Sequence, residues 1–450
     1  MNIRTHASIR ALLALATLIA LPLVLPRGAR AQQPAVGPEP QVEDTAAAEH
    51  DAASEEHATE ASIGDHEAEL APEATEEHGE REWPQRLGPV EAVGEHGTVG
   101  VGFGTQIRGT ATFEDGESDG VFQLHRARLF LRASFLDGRV RFKLQTDFAP
   151  RAFELIDLYV EGDITERVAL RAGIGKIPFT EHWMQSFLRL SVVDWPLTER
   201  WFGGGRQVGF TLFDPRKDAP WTWAVGVYQG QTLRPANGQR FVTAYGDDRV
   251  NYLDLQEFRP LATPHPELAG RVTRRGSVGA VDGLVSLSAA WDTRPEHGVD
   301  ETLRLALDGR LRVGPLTAWA GAFLAAAEEL DGDLMLSHGG SLLEAEVRPH
   351  PLIGVALRHS AVIRSDALRR DARATADERI ATASDPDRQA ELEGRYAGVD
   401  RIRAQHETVF GVNVYFVGHD LKWQTDVSWL RDAGPDRDQW RLRSHINLAF

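Results

Sequence analysis

The stretch VGVGFGTQIRGTATF, residues 99–113, decides the reading. Val99, Val101, Phe103, Thr105, Ile107, Gly109, Ala111 and Phe113 alternate with Gly100, Gly102, Gly104, Gln106, Arg108, Thr110 and Thr112. A period of two held over fifteen residues is a β-strand, longer than a usual soluble one and long enough to cross a bilayer at a tilt. Working outward, the same alternation recurs in sixteen segments: 98–113, 121–136, 139–148, 154–162, 166–175, 206–213, 221–229, 267–275, 283–292, 301–313, 315–324, 340–348, 351–360, 406–417, 420–430 and 438–450. An even number suits a single-chain barrel with both ends on one side.

The links obey a second rule. Those after segments five, seven, eleven and thirteen are long, whereas those at the other end are as short as Asp137-Gly138, Gly314 or Gly418-His419. Long loops at one end and tight turns at the other are the pattern of an antiparallel transmembrane β-barrel of the outer membrane, with the turns periplasmic. The chain ends on alternating Trp440, Leu442, Ser444, Ile446, Leu448 and Phe450, and the terminal Phe450 reads as a membrane-assembly signal.

Charge parity sharpens the picture. The polar face of these segments carries nineteen bases, Arg108, Arg126, Arg128, Arg132, Arg139, Arg141, Lys143, Arg167, Arg171, Arg271, Arg275, Arg304, Arg310, Arg312, Arg348, Arg358, Lys422, Arg441 and Arg443. It carries nine acids, Asp147, Asp157, Glu161, Glu267, Asp292, Asp308, Glu344, Glu346 and Asp426, while the opposite face bears one charge, Arg274 at a strand end. A charge at the lipid midplane costs about 2–4 kcal/mol, so the clean face is the lipid face and the basic one the lumen. A basic passage of low dielectric concentrates anions, and guanidinium forks match phosphate oxygens. The expected anion pathway comprises Arg126, Arg128, Arg132, Arg141, Lys143, Arg167, Arg171, Lys176 and Arg206.

The link Pro178 to Gly205 is too aromatic for a loop in water, and it reads as an inward-folded third extracellular loop. Phe179, Trp183, Arg189, Trp195, Arg200 and Trp201 are its constriction residues. The link Ala361 to Gln405, with nine arginines and nine acids, reads as a surface or vestibule loop held by local salt bridges.

The N-terminal region is of another kind. Residues 1–31 form a signal peptide, with Arg4 and Arg10 before the apolar run Ala11 to Pro26 and an Ala29-Arg30-Ala31 cleavage site. Residues 32–96 form an acidic Ala/Glu/His-rich periplasmic segment without a core of its own, and Gln32 to Glu82 holds 16 acids and one base. His50, His57, His66 and His78 have spacings that fit no compact metal site. The formal charge of the 450 residues, -17, is thus largely this segment, and residues 97–450 remain as the barrel.

With no cysteine, thiolate metal sites and disulfides are excluded, and no nucleotide loop, metalloprotease or nucleophile-elbow motif occurs. His359 and Ser360 fall on opposite strand faces and cannot act together. No catalytic residue, metal or cofactor and no nucleic-acid partner is expected.

Four stretches resemble the phosphate-selective porins O and P. They are Arg126-Ala127-Arg128-Leu129, Leu170-Arg171-Ala172-Gly173-Ile174-Gly175-Lys176-Ile177-Pro178-Phe179, Gly205-Arg206-Gln207-Val208-Gly209 and Gly411-Val412-Asn413-Val414-Tyr415-Phe416, and the resemblance runs from about Gly97 to Phe450. It implies an all-β, sixteen-stranded barrel in a homotrimer, passing phosphate or polyphosphate by passive diffusion and contacting outer-membrane lipid and lipopolysaccharide. The chain departs from the family in holding only four lysines, Lys143, Lys176, Lys217 and Lys422. A general porin of weak anion preference, a structural or adhesive barrel and a soluble secreted β protein are the alternatives.

Overall fold

The structure, a computed structural model, describes residues 90–450 except 115, 150–152, 204, 217–218, 230–265, 293–300, 329–333, 367–368, 370–372, 374–376, 378–379, 383, 397–400 and 435–436. The expected signal peptide and residues 32–89 of the acidic segment, with its four histidines, lie outside the described residues.

The strands are β1 (Val90–Gly94), β2 (Gly97–Glu114), β3 (Glu117–Phe135), β4 (Val140–Asp147), β5 (Glu154–Thr165), β6 (Val168–Lys176), β7 (Arg206–Phe213), β8 (Trp221–Tyr228) and β9 (Glu267–Val278). They continue as β10 (Val281–Asp292), β11 (Glu301–Val313), β12 (Leu316–Glu328), β13 (Leu334–His350), β14 (Ile353–Arg364), β15 (Ala404–Val417), β16 (Leu421–Ala433) and β17 (Arg437–Ala449). Helices α1 (Glu181–Met184) and α2 (Leu197–Phe202) lie between β6 and β7, and α3 (Pro386–Tyr396) between β14 and β15.

From β2 onward each strand pairs antiparallel with the next. The seam closes between β17 and β2, from Gln439 opposite Glu114 to Ala449 opposite Gly104. The result is a closed barrel of sixteen strands, β2–β17. Phe450 completes the seam: its N–H and C=O bond to the backbone of Phe103 at 2.9 and 2.8 Å.

β1 departs from expectation, because it falls in the stretch assigned to the acidic segment. It pairs with Gly97–Val101 of β2, next to the stretch Gly104–Glu114 that pairs with β17. Unpaired backbone groups at the start of β2 explain why a short strand settles there.

The alternation seen in the sequence is realised as burial. In β15 the residues Gln405, Glu407, Val409, Asn413, Tyr415 and Val417 are buried, whereas Phe410, Val412 and Phe416 are exposed. Exposed Phe210, Leu343, Leu357, Trp423, Trp440 and Ile446 belong to an apolar outer belt far larger than a soluble surface carries.

A bulge at His125 corrects the parity of β3. Gln106 pairs with Arg126 but Ile107 with Leu124, so one residue is skipped. Without that skip Phe122 and Leu124 would share the inner face with Arg126; with it they are exposed on the outer one.

Candidate functional site

The segment between β6 and β7 lies against the inner face of much of the barrel wall. It starts with Lys176, whose ammonium donates to Trp183 O at 3.1 Å and Gln185 O at 2.9 Å. Thr180 caps α1 by accepting the Trp183 N–H at 2.9 Å. Asp308 of β11 accepts the N–H groups of Glu181 and His182 at 2.9 and 3.0 Å. Further on, Lys422 holds Leu188 O at 2.6 Å and Leu190 O at 3.0 Å, and Asn413 donates to Ser191 O at 2.8 Å. Ser191 donates to Glu344 at 2.7 Å, the Val193 N–H to Asp426 at 2.9 Å and the Leu197 N–H to Ser360 at 3.1 Å. An irregular backbone can be buried only with its polar groups satisfied, and side chains of β6, β11 and β13–β16 do this.

Its rings supply the apolar part. Phe179, Trp183, Phe187, Trp195, Trp201 and Phe202 are all buried. Phe179, Trp201 and Phe202 pack with Tyr228, Phe323, Leu342, Val362 and Leu430 of the wall, and Leu392 of α3 joins them. The link after β14, expected as a surface or vestibule loop held by local salt bridges, has the local pairs Arg369–Asp366 and Arg373–Asp377, and its Leu392 also joins the interior cluster.

The wall from β3 to β7 carries the ladder of bases. Arg128 bonds Asp147 at 2.8 Å. Asp157 is shared by Lys143 at 3.4 Å and Arg206 at 2.7 Å. Glu161 is shared by Arg171 at 2.6 Å and Arg141 at 3.1 Å, and Arg141 also reaches Asp163 at 2.6 Å. Arg128 lies 4.5 Å and Arg126 5.2 Å from the Phe187 ring centroid, and Arg171 stands over Tyr159 at 4.4 Å. Arg132, half-buried, lies opposite Lys143 in register.

A second group of bases lies toward the short-turn end. Arg189, half-buried, projects from the segment, and Arg310 has Arg312, Arg275 and Arg189 as electrostatic neighbours. Neither Arg310 nor Arg312 has an ion pair among the described residues; Arg310 lies 5.5 Å from the Trp319 ring centroid.

Several placements differ from the sequence reading. Arg167, expected on the lumen wall, is exposed in the β5–β6 turn, and Arg139 is exposed at the start of β4: a strand's alternation ends where its pairing ends. Glu407 and Asp432 were passed over and are buried on the inner face; Glu407 sat on the polar parity of its segment and could have been found. The segment also brings Glu181, Asp194 and Glu199 into the lumen, so the excess of ten positive charges implied by nineteen bases and nine acids is overstated. His359 is exposed and Ser360 buried, on opposite faces.

Within the segment, burial pushes the Glu199 carboxyl up to about 8, and the charge of Asp308 adds to the rise. Burial would raise Asp194 as well, but Arg108, Arg200, Arg126 and Arg443 together hold it well below the usual range. Glu181 is likewise lowered against burial, by Arg271 and Arg275.

No protein-family model matches the chain, and no curated protein matches it in sequence. Solved structures do resemble it. The anion-selective porin from Comamonas acidovorans is similar at 12% identity and a TM-score of 0.52, over 79% of this chain and 100% of that one. OprB of Pseudomonas putida is similar at 9% identity and a TM-score of 0.51, over 78% of this chain and 94% of that one. At such identities the likeness is one of architecture: the chain is a closed, sixteen-stranded antiparallel β-barrel of the outer-membrane porin fold.

Proposed function

We propose that the protein is an outer-membrane porin through which anions, phosphate or polyphosphate among them, diffuse passively between the β6–β7 segment and the β3–β6 wall. One observation carries the reading. Among the described residues Asp157 is shared by Lys143 and Arg206, while Arg141 and Arg171 meet Glu161 and Asp163, so four bases face three carboxylates on that wall. Arg189, Arg310 and Arg312 extend the basic surface toward the short-turn end, which the reading makes periplasmic together with the N-terminal segment. In a narrow passage such a surplus concentrates anions without a tight site. Arginine forks suit phosphate oxygens.

The apolar outer belt supports a setting in outer-membrane lipid and lipopolysaccharide. The small outward residues of β12, Ala318, Ala320 and Ala322, would let barrels approach closely and support a homotrimer. Arg126, Arg128, Arg132, Arg141, Lys143 and Arg171 line the pathway, Lys176 and Arg206 stand at the ends of the segment, and Phe179, Trp183, Arg189, Trp195, Arg200 and Trp201 shape or anchor the constriction.

Planar-bilayer recording of the full chain in a KCl gradient tests the reading. The expected reversal potential is that of an anion-selective pore, and cation preference would overturn it. Millimolar phosphate should inhibit the chloride current. The carboxylates that pair with the ladder favour a second reading, a general pore of weak anion preference, and an uninhibited chloride current would decide for it.

A further inference from the structure

Asp194 is enclosed by guanidinium groups from four elements. Arg108 of β2 is 3.3 Å from its Oδ2, Arg200 of α2 3.7 Å and Arg443 of β17 4.0 Å, and Arg126 of β3 is 3.9 Å from its Oδ1. Arg108 and Arg443 are fully buried. The neighbouring acids are already engaged. Asp426 takes Arg443 at 2.8 Å and the Val193 N–H, and Glu407 takes Arg358 at 3.0 Å, Arg441 at 3.7 Å and Arg200 at 3.9 Å. Glu344 lies 3.8 Å from Arg358. Among the described residues, four guanidinium groups thus surround the one carboxylate of Asp194 in a region withdrawn from water. Buried guanidinium groups are unfavourable without an anion beside them, so this part of the wall favours occupation by a negative group.

Three of the four arginines around Asp194 belong to the wall, whereas Asp194 belongs to the inserted segment, where its Oδ1 also accepts the Trp195 N–H at 2.9 Å. The cage and its occupant are therefore separate pieces of structure. Toward the long-loop end it is bordered by the half-buried Thr110, Gln123 and His125 of β2 and β3.

The geometry points to a carboxylate-binding site formed by Arg108, Arg126 and Arg443 and closed by Arg200, in which Asp194 is a tethered occupant that a small organic carboxylate replaces. The group now in the cage is itself an acetate-sized carboxylate, and that fixes the ligand class. The inference rests on the lumen being an anion pathway and extends it beyond phosphate. Exchange also couples solute to the constriction, because expelling Asp194 removes an anchor between Val193 and Trp195.

The test is Asp194→Ala in the full-length protein, with acetate as probe and phosphate at equal ionic strength as comparison. The acetate concentration that halves the chloride current should fall at least tenfold relative to the unsubstituted protein, and acetate should raise the variant's Tm where chloride does not. If the alanine variant fails to assemble, Asp194→Asn, which keeps the side-chain volume, should show at least a threefold fall. Equal acetate inhibition of variant and parent would overturn the site, as would a gain for phosphate equal to or above that for acetate. These outcomes occur in a chloride-selective channel; a cation-selective parent would instead overturn the anion reading beneath the proposal.

Discussion

Asp308 accepts the backbone N–H of His182 at 3.0 Å, so a wall carboxylate adds to the Thr180 cap of a helix in a segment it does not belong to. It accepts the Glu181 N–H as well, at 2.9 Å. Asp308→Ala leaves the buried His182 N–H without this acceptor, at about 1–3 kcal/mol, and the part-buried Glu181 N–H as well. The barrel should still assemble, and single-channel recordings should show a larger, noisier conductance. Conductance equal to the parent's would mean that α1 is held elsewhere.

The buried Glu199 sets a pH dependence. It faces Thr180 and His182 of the segment, which lie within 3.0 and 3.7 Å, and it feels Lys176 of β6, Asp308 of β11 and Glu344 of β13. Its carboxyl is raised from an ordinary 4.5 to about 8, so the docked segment holds the proton more tightly than the undocked one. Docking is then strongest below pH 4.5, weakens as pH rises from there to about 8, and is level above. Channel noise should grow between pH 6 and 8.5, and Glu199→Gln should abolish the change. Noise that follows pH equally in the glutamine variant would assign the effect to another group.

Selectivity should follow the β3–β5 wall. Replacing Arg128 and Arg141 together by Ala leaves Asp147 and Asp163 without these partners and takes two charges from the ladder. The reversal potential in a KCl gradient should move at least halfway to zero. Arg167→Ala, in an exposed turn, should leave it where it was. The opposite ranking would show that the filter is elsewhere.

Gly340 of β13 is a packing constraint. A Cβ there would lie 2.6 Å from Cε2 of Phe202, one of the rings that anchor α2. Gly340→Ala must push that ring aside, costing about 1–3 kcal/mol. Thermal unfolding of the purified protein should begin earlier. An unchanged Tm would mean that α2 yields freely.

Removing Phe450 deletes both backbone bonds to Phe103 and a ring 6.1 Å from that of Phe103. Outer-membrane yield should fall severalfold, measured by heat-modifiable migration of membrane fractions. Equal yield would refute its role in assembly.

The barrel was legible in the chain because its causes are local. Each strand must alternate to place Val99 or Phe410 toward lipid and Arg108 or Asn413 inward, and each turn must be short or long according to its end. These requirements leave a period in the sequence whatever the neighbours are. The burial of the segment was legible too, since its rings had to be covered somewhere. Other features lay beyond that reach. The bulge at His125 depends on the partner strand, and β1 lies on the stretch of β2 that β17 does not pair. Charge pairing was the least visible, since Asp194 meets Arg443 across 249 residues of chain. Sequence by itself determined the alternation, the strand number and the two faces; only the tertiary structure decided which bases are spent on carboxylates, because that depends on distances between residues whose separation along the chain carries no such information.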